Sequence, residues 1–151
     1  MSTNNAIAYV DGSFNPEVNK YAFGLVLIHP DGYIEEKCGS GDSPDALQQR
    51  NVSGEMIASM LSVKWANINQ YKNLDIYYDY SGIECWVTGA WKAKNPLTQK
   101  YRDYMQNAGN QIKINFYKVK SHSNDKYNEM ADKLAKEGLK MPVGLPDITK
   151  R

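Results

Sequence analysis

Apolar positions along this chain follow a period of two, then of three to four, then of two again. From Ala6 to Val10 they run almost unbroken and stop at Asp11-Gly12-Ser13, which predicts a strand covered on both faces that ends in a carboxylate and a tight turn. After a loop from Phe14 to Lys20, Tyr21 to Ile28 is again aromatic and β-branched, and His29-Pro30-Asp31-Gly32 is a strong turn signal. The chain then returns through Tyr33 to Ser40, with Tyr33, Glu35 and Lys37 alternating against Ile34, Glu36 and Cys38 as on an outer strand. A three-stranded antiparallel meander is expected.

The period changes beyond a polar loop from Gly41 to Arg50. Met56, Ile57, Met60, Leu61, Val63 and Trp65 recur at helical spacing in a helix that Asn51 or Ser53 can cap and that reaches about Gln70. Glu55, Ala58, Ser59, Ser62 and Ala66 fall along one side of it. Small residues at that spacing let a helix lie close to a sheet. Leu74 to Tyr80 reads as a second central strand, Ile83 to Thr88 as a short helix, Leu97 to Gly109 as a helix ended by glycine, and Ile112 to Val119 as a strand. A polar loop from Lys120 to Asp125 precedes a last helix marked by Tyr127, Met130, Ala131, Leu134, Ala135 and Gly138. The order β-β-β-α-β-α-α-β-α predicts an α/β domain over residues 1–139. Its sheet is five-stranded and mixed, the first three strands antiparallel and the fourth and fifth parallel, with flanking helices. Residues 140–151, with Pro142 and Pro146, form an irregular tail.

Composition narrows this little further. At 151 residues and 42% hydrophobic content the chain suffices for one core. A net charge of +1 means that any basic surface is local. Cys38 and Cys85 are too few and too far apart for a disulfide framework or a zinc cluster, and they suit a reducing compartment as buried thiols. No apolar run approaches the roughly 20 residues of a membrane helix, and no signal peptide precedes the first strand, so the cytoplasm is the default and no membrane partner is expected.

Candidate chemistry lies in four carboxylates. Asp11 ends one central strand and Asp79 the other; taken alone, each is equally a turn-capping Asp. Glu55, at the head of the small-residue stripe, faces the sheet or serves the first turn of its helix. Asp132 lies at the edge of the last helix's apolar stripe, an ordinary place for a surface charge. If the two strands are neighbours, their ends meet, and the helices can bring Glu55 and Asp132 to the same edge. Carboxylates at such quarters need cations. Oxygen-only ligands select Mg²⁺, with Mn²⁺ as substitute, and two such ions about 4 Å apart suit phosphodiester cleavage. The one basic stretch with interleaved aromatics holds Trp86, Trp91, Lys92, Lys94, Lys100 and Arg102. It is either a core tryptophan beside a solvated face or a ridge that tracks phosphates.

The motifs Tyr9-Val10-Asp11-Gly12-Ser13, Gly54-Glu55-Met56-Ile57-Ala58, Tyr77-Tyr78-Asp79-Tyr80, and His122 through Asn128-Glu129-Met130-Ala131-Asp132-Lys133-Leu134-Ala135 together resemble type 1 ribonuclease H, from about Ile7 to Gly138. The resemblance implies a ribonuclease H-like fold and an endonuclease that cuts the RNA strand of an RNA–DNA hybrid, leaving 3′-hydroxyl and 5′-phosphate ends with two Mg²⁺ ions. By that resemblance Asp11 bridges the ions, and Asp132 completes the site of the ion that activates the attacking water. Glu55 and Asp79 hold the ion at the leaving oxygen, and His122 matches a mobile histidine that assists proton transfer or product release. Gly12, Ser13, Asn15 and Asn51 fall where hybrid contacts are made. His29, in the hairpin turn, gains no role.

The chain also departs from the family pattern. Tyr80-Ser81 stands where many members have Ser-Gln, Val52 follows Asn51 where a second Asn is common, and Arg50 replaces a phosphate-contacting Thr. The segment from Trp86 to Arg102 is too short for the long basic protrusion of some bacterial members. Such members often carry a separate hybrid-binding domain upstream, so the full-length protein is allowed one; a monomer is expected. Two other readings stay open: a same-fold nuclease acting on double-stranded RNA or DNA, and a non-catalytic hybrid-binding module.

Overall fold

The computed structural model describes residues 5–120 and 125–151. Five strands form one sheet: β1 (Ala6–Asn15), β2 (Lys20–Ile28), β3 (Ile34–Gly41), β4 (Asn73–Tyr78) and β5 (Lys113–Lys118), in the spatial order β3-β2-β1-β4-β5. β1 pairs antiparallel with β2 and β2 with β3, whereas β4 lies parallel to both β1 and β5. The mixed sheet expected from the element order is the one observed.

The described residues also form five helices: α1 (Pro44–Leu47), α2 (Asn51–Ile68), α3 (Gly82–Thr88), α4 (Pro96–Ala108) and α5 (Lys126–Gly138). α2 crosses one face of the sheet, where Met56 and Trp65 pack with Ala8 and Val10 of β1, Phe23, Leu25 and Leu27 of β2, and Leu74 and Ile76 of β4. Buried side chains of this size contribute about 1.5–3 kcal/mol each, which makes this face the main core. α5 covers the other face, where Ala131, Met130 and Leu134 meet Tyr9 and Val26. The strand that carries Asp11 is thus buried from both sides, as its unbroken apolar run requires.

The approach of α2 to the sheet depends on glycine. A Cβ on Gly12 would overlap the carbonyl oxygen of Asn51 and lie 2.8 Å from the Glu55 nitrogen; one on Gly54 would overlap the carbonyl oxygen of Ala22. The small-residue stripe continues this contact. Ser59 and Ser62 are buried without penalty because their hydroxyls donate to the carbonyls of Glu55 (2.9 Å) and Ser59 (2.7 Å).

Several local expectations are corrected. The loop from Gly41 to Arg50 contains the four-residue helix α1. Neither Asn51 nor Ser53 caps α2: the cap position is Arg50, which offers no side-chain cap, and the Ser53 hydroxyl donates to the Ala46 carbonyl. β1 does not end at Asp11: it runs on to Asn15 with Asp11 opposite Gly24, because β2 keeps pairing with it through Lys20, whereas β4 ends at Tyr78, so Asp79 lies just beyond the strand. Cys38 and Cys85 are free but half-buried. His29 is fully enclosed, with one ring nitrogen on the Tyr71 hydroxyl and the other 2.6 Å from Glu35. The segment after α5 lies along the outer edge of the sheet, where Gly144 and Ser40 exchange backbone hydrogen bonds of 3.0 and 3.1 Å. At its end Arg151 pairs with Asp31 at 2.5 Å and lies over the Tyr33 ring. Among the described residues no helix is long and apolar enough to cross a membrane.

Candidate metal centre and nucleic-acid interface

β1 and β4 stay paired only as far as Tyr9 and Tyr77, whereas β1 continues alongside β2 through Asn15. A cleft opens where the two parallel strands part, at their carboxyl ends, the usual ligand position in open α/β sheets. Asp11 and Asp79 flank it. Glu55 enters from the first turns of α2, and one carboxylate oxygen from each of the three lies within 4.8 Å of the others.

Their electrostatics follow from this placement. Glu55 is only 3% exposed, and its Oε1 accepts the backbone N–H groups of Asp79 (3.1 Å) and Tyr80 (2.9 Å). These bonds tie α2 to the end of β4. Burial nevertheless pushes the Glu55 carboxyl up to about 8, against those N–H groups and with help from Asp11. Burial likewise raises Asp11 to about 7; the Gly12 N–H at 2.9 Å lowers it, and Asp132 and Asp79 raise it further. Asp11 and Gly12 both lie within β1, paired with Gly24 and Phe23 of β2, so Asp11 caps no turn and its carboxylate is left to the acidic cluster. Glu55 caps no turn of its own helix; its carboxylate reaches across to the sheet.

Asp132 adjoins this trio through Asp11, whose carboxyl it helps to raise. It stands half exposed on α5 and pairs with Lys136 at 3.1 Å. α5 is set by Asp125, whose carboxylate accepts the N–H groups of Tyr127 (3.0 Å) and Asn128 (3.2 Å) at the helix start. His122 lies outside the described residues. A donor set of three converging carboxylates, with two pKa values raised by burial and mutual repulsion, suits hard divalent cations, whose charge relieves both costs.

Around the cleft, Gly12 and Ser13 continue β1, and Asn51 is exposed at the start of α2 above Gly12. Asn15 ends β1 and uses its side-chain oxygen on the Glu17 N–H at 3.0 Å. Arg50 holds φ 54 and ψ −128 with its guanidinium 5.6 Å from the centre of the Phe14 ring. On the far side, Trp86 is buried while Tyr80 and Trp91 remain 41% and 40% exposed and pack against it edge-on or tilted. The basic stretch therefore divides between core and surface, and Lys92 and Lys94 are exposed beside Trp91.

The RNase H family model matches residues 3–140. The chain belongs to the RNase H family. A ribonuclease H of Ehrlichia ruminantium is 28% identical over 145 residues, which span 90% of this chain and 95% of that protein. Among solved structures, RNase H1 of the halophilic archaeon Halobacterium salinarum superimposes with a TM-score of 0.73 at 24% identity, covering 91% of this chain and 98% of that one. LC11-RNase H1, crystallised in complex with an RNA/DNA hybrid, gives 0.67 at 14% identity, over 89% and 99%. As an RNase H this chain is a nuclease and a hydrolase. Of its departures from the family pattern, Tyr80 adjoins the acidic cluster through its N–H on Glu55 (2.9 Å), and Arg50 lies against Phe14.

Proposed function

We propose that this RNase H hydrolyses the RNA strand of RNA–DNA hybrids with two divalent ions held by Asp11, Glu55, Asp79 and Asp132, leaving 3′-hydroxyl and 5′-phosphate ends. The observation that carries it is the convergence of Asp11, Glu55 and Asp79 in the cleft between β1 and β4, with Asp132 beside Asp11. When bound, Mg²⁺, or Mn²⁺ in its place, supplies Lewis acidity at the attacking and leaving oxygens of the phosphodiester. Asp11, central to the four, touches both halves of the site. Glu55 fixes the Asp79 backbone as well as offering a ligand, so the two acids on the leaving-group side move together. Asp132, on the solvent side, has the access that incoming water needs. His122 serves as the proton carrier between that water and bulk solvent, a role suited to an imidazole side chain.

The hybrid lies over Gly12, Ser13, Asn15 and Asn51 on one side of the cleft. Tyr80, Trp91, Lys92 and Lys94 meet the second strand's backbone on the other. No long protrusion adds to that grip, so affinity rests on few contacts and falls steeply with salt. The catalytic unit spans residues 1–139 and acts as a monomer in the cytoplasm, with or without a hybrid-binding domain upstream.

End-labelled RNA–DNA hybrid, double-stranded RNA, single-stranded RNA and duplex DNA, each incubated in Mg²⁺, Mn²⁺ or EDTA, test this reading. Cutting confined to the RNA of the hybrid, lost in EDTA and in Asp11→Asn, is expected. Cutting of another duplex in preference, or metal-independent cutting, would overturn it.

A further inference from the structure

One aromatic feature beside the cleft has no part in the chemistry above. Tyr9, Tyr77 and Tyr117 are register partners on three adjacent parallel strands, and their rings form a continuous stack, with centroids 4.5 Å and 5.0 Å apart and planes 9° and 22° from parallel. Tyr127, at the start of α5, closes the inner end at 5.5 Å. The outer end is open. α5 packs over β1, β2 and β3 on this face, and Tyr117, on the edge strand β5, remains 45% exposed. Tyr9, Tyr77 and Tyr127 belong to the core beneath α5, whereas Tyr117, the last ring of the row, is exposed.

The row runs beside the metal centre. Asp11 follows Tyr9, and Asp79 follows Tyr77, by two residues, roughly 7 Å along the strands. A polynucleotide strand whose phosphate met cations held by Asp11 and Asp79 would therefore have its neighbouring nucleotides within reach of the stack. Asp75 and Asp125 face the row, and burial together with their charges raises the Tyr77 hydroxyl above its ordinary value, so affinity here must come from stacking and not from charge. The Asp75 carboxylate is engaged by the amides of Asn5 (3.2 Å) and Asn115 (2.9 Å), and Asp125 by its own helix, while the Lys126 ammonium lies 5.7 Å from the Tyr127 ring centroid. A paired base cannot offer its face to Tyr117, whereas an unpaired one can, and stacking on an aromatic side chain is tolerant of base identity.

We propose that the Tyr77–Tyr117 stack is a subsite for an unpaired nucleobase of the RNA strand flanking the cut, so that hybrids with a single-stranded RNA overhang bind better than blunt ones. This rests on the ribonuclease H reading above. The test compares blunt hybrids with hybrids of equal duplex length carrying an RNA overhang at the 5′ or the 3′ end, for the wild-type protein, Tyr117→Ala and Tyr117→Phe. A 2-aminopurine in the overhang reports stacking by its quenching.

The wild type should show a KM about tenfold lower for one of the overhang hybrids, and quenched 2-aminopurine. Tyr117→Phe should retain both effects and Tyr117→Ala should lose both. Equal KM values for blunt and overhang hybrids in the wild type would overturn the proposal while leaving the nuclease reading intact. So would a Tyr117→Ala loss that is equal on all three substrates, which marks a structural role. Failure of the wild type to cut any hybrid would overturn both.

Discussion

Replacing Glu55 by Gln removes the charge that the fold holds at greatest cost and keeps the shape. The amide oxygen of Gln can still accept the N–H groups of Asp79 and Tyr80 that Glu55 Oε1 accepts at 3.1 and 2.9 Å, and its NH₂ can donate to Asp11. The folded pKa of Glu55, about 8, lies above its ordinary value of 4.5, so the native state holds a proton that the unfolded chain has released. Metal-free stability must then fall as pH rises from about 4.5 to about 8 and level off beyond. The fall is on the order of 4 kcal/mol at pH 8, or about 10 °C in Tm for a chain of this size. Thermal melts in EDTA across pH 5–9 should give Glu55→Gln and wild type nearly equal Tm values at pH 5, with the variant ahead by about that margin at pH 8.5. Mg²⁺ should narrow the gap by binding the ionised wild-type site, and the variant should lose cleavage. Parallel Tm profiles, or a variant that melts lower at pH 8.5, would refute the assignment of the burial cost to Glu55.

Asp11→Asn should fold, abolish cleavage by about a thousandfold or more, equivalent to roughly 4 kcal/mol of lost transition-state stabilisation, and forfeit the Mg²⁺-induced rise in Tm; calorimetry with and without Mg²⁺ checks the last point. Gly12→Ala places a methyl against the Asn51 carbonyl and the Glu55 nitrogen. It should lower stability in urea by about 1–3 kcal/mol and depress kcat through the displaced Glu55. Arg50→Gly relieves a backbone conformation, φ 54 and ψ −128, that costs a non-glycine residue about 1–3 kcal/mol. Its Tm should rise by a few degrees while KM for hybrid increases, because the cation next to Asn51 is lost.

Much of the fold was legible because its signals are local and strong. The unbroken apolar run at Ala6–Val10 and the alternation at Leu74–Tyr78 could only be inner strands, and the small residues of α2 announced a close approach to the sheet that Gly12 and Gly54 now explain. What escaped notice depends on contacts distant in sequence. Pro44–Leu47 is one helical turn, too short to display a period. The cap of α2 fell on Arg50, with positive φ, because the packing of α2 against Gly12 fixes where the helix starts, and local preference yields to it. His29 read as a turn residue because nothing in its neighbourhood reveals that Trp65 and Tyr71 close over it. The tyrosine stack was hidden for the same reason, since strand register alone aligns Tyr9, Tyr77 and Tyr117.

The site itself was legible residue by residue but not in its energetics. Read singly, each acid has an ordinary explanation, yet Asp11 lies within a paired strand with no turn to cap. The sheet order separates the two explanations, because placing β4 directly beside β1 sets the end of β4 against Asp11 under one helix terminus. Glu55 then has no solvent to retreat to: its carboxylate must bind the N–H groups that β4 leaves unpaired at its end, and burial there raises its proton affinity. The contact that anchors α2 to β4 is therefore also the one that leaves the cluster short of positive charge. A protein could satisfy the anchor alone with a neutral Gln, at higher metal-free stability. Retaining Glu at that position makes sense only where a cation completes the site, so the stability this fold forgoes at neutral pH is itself an argument for the metal chemistry.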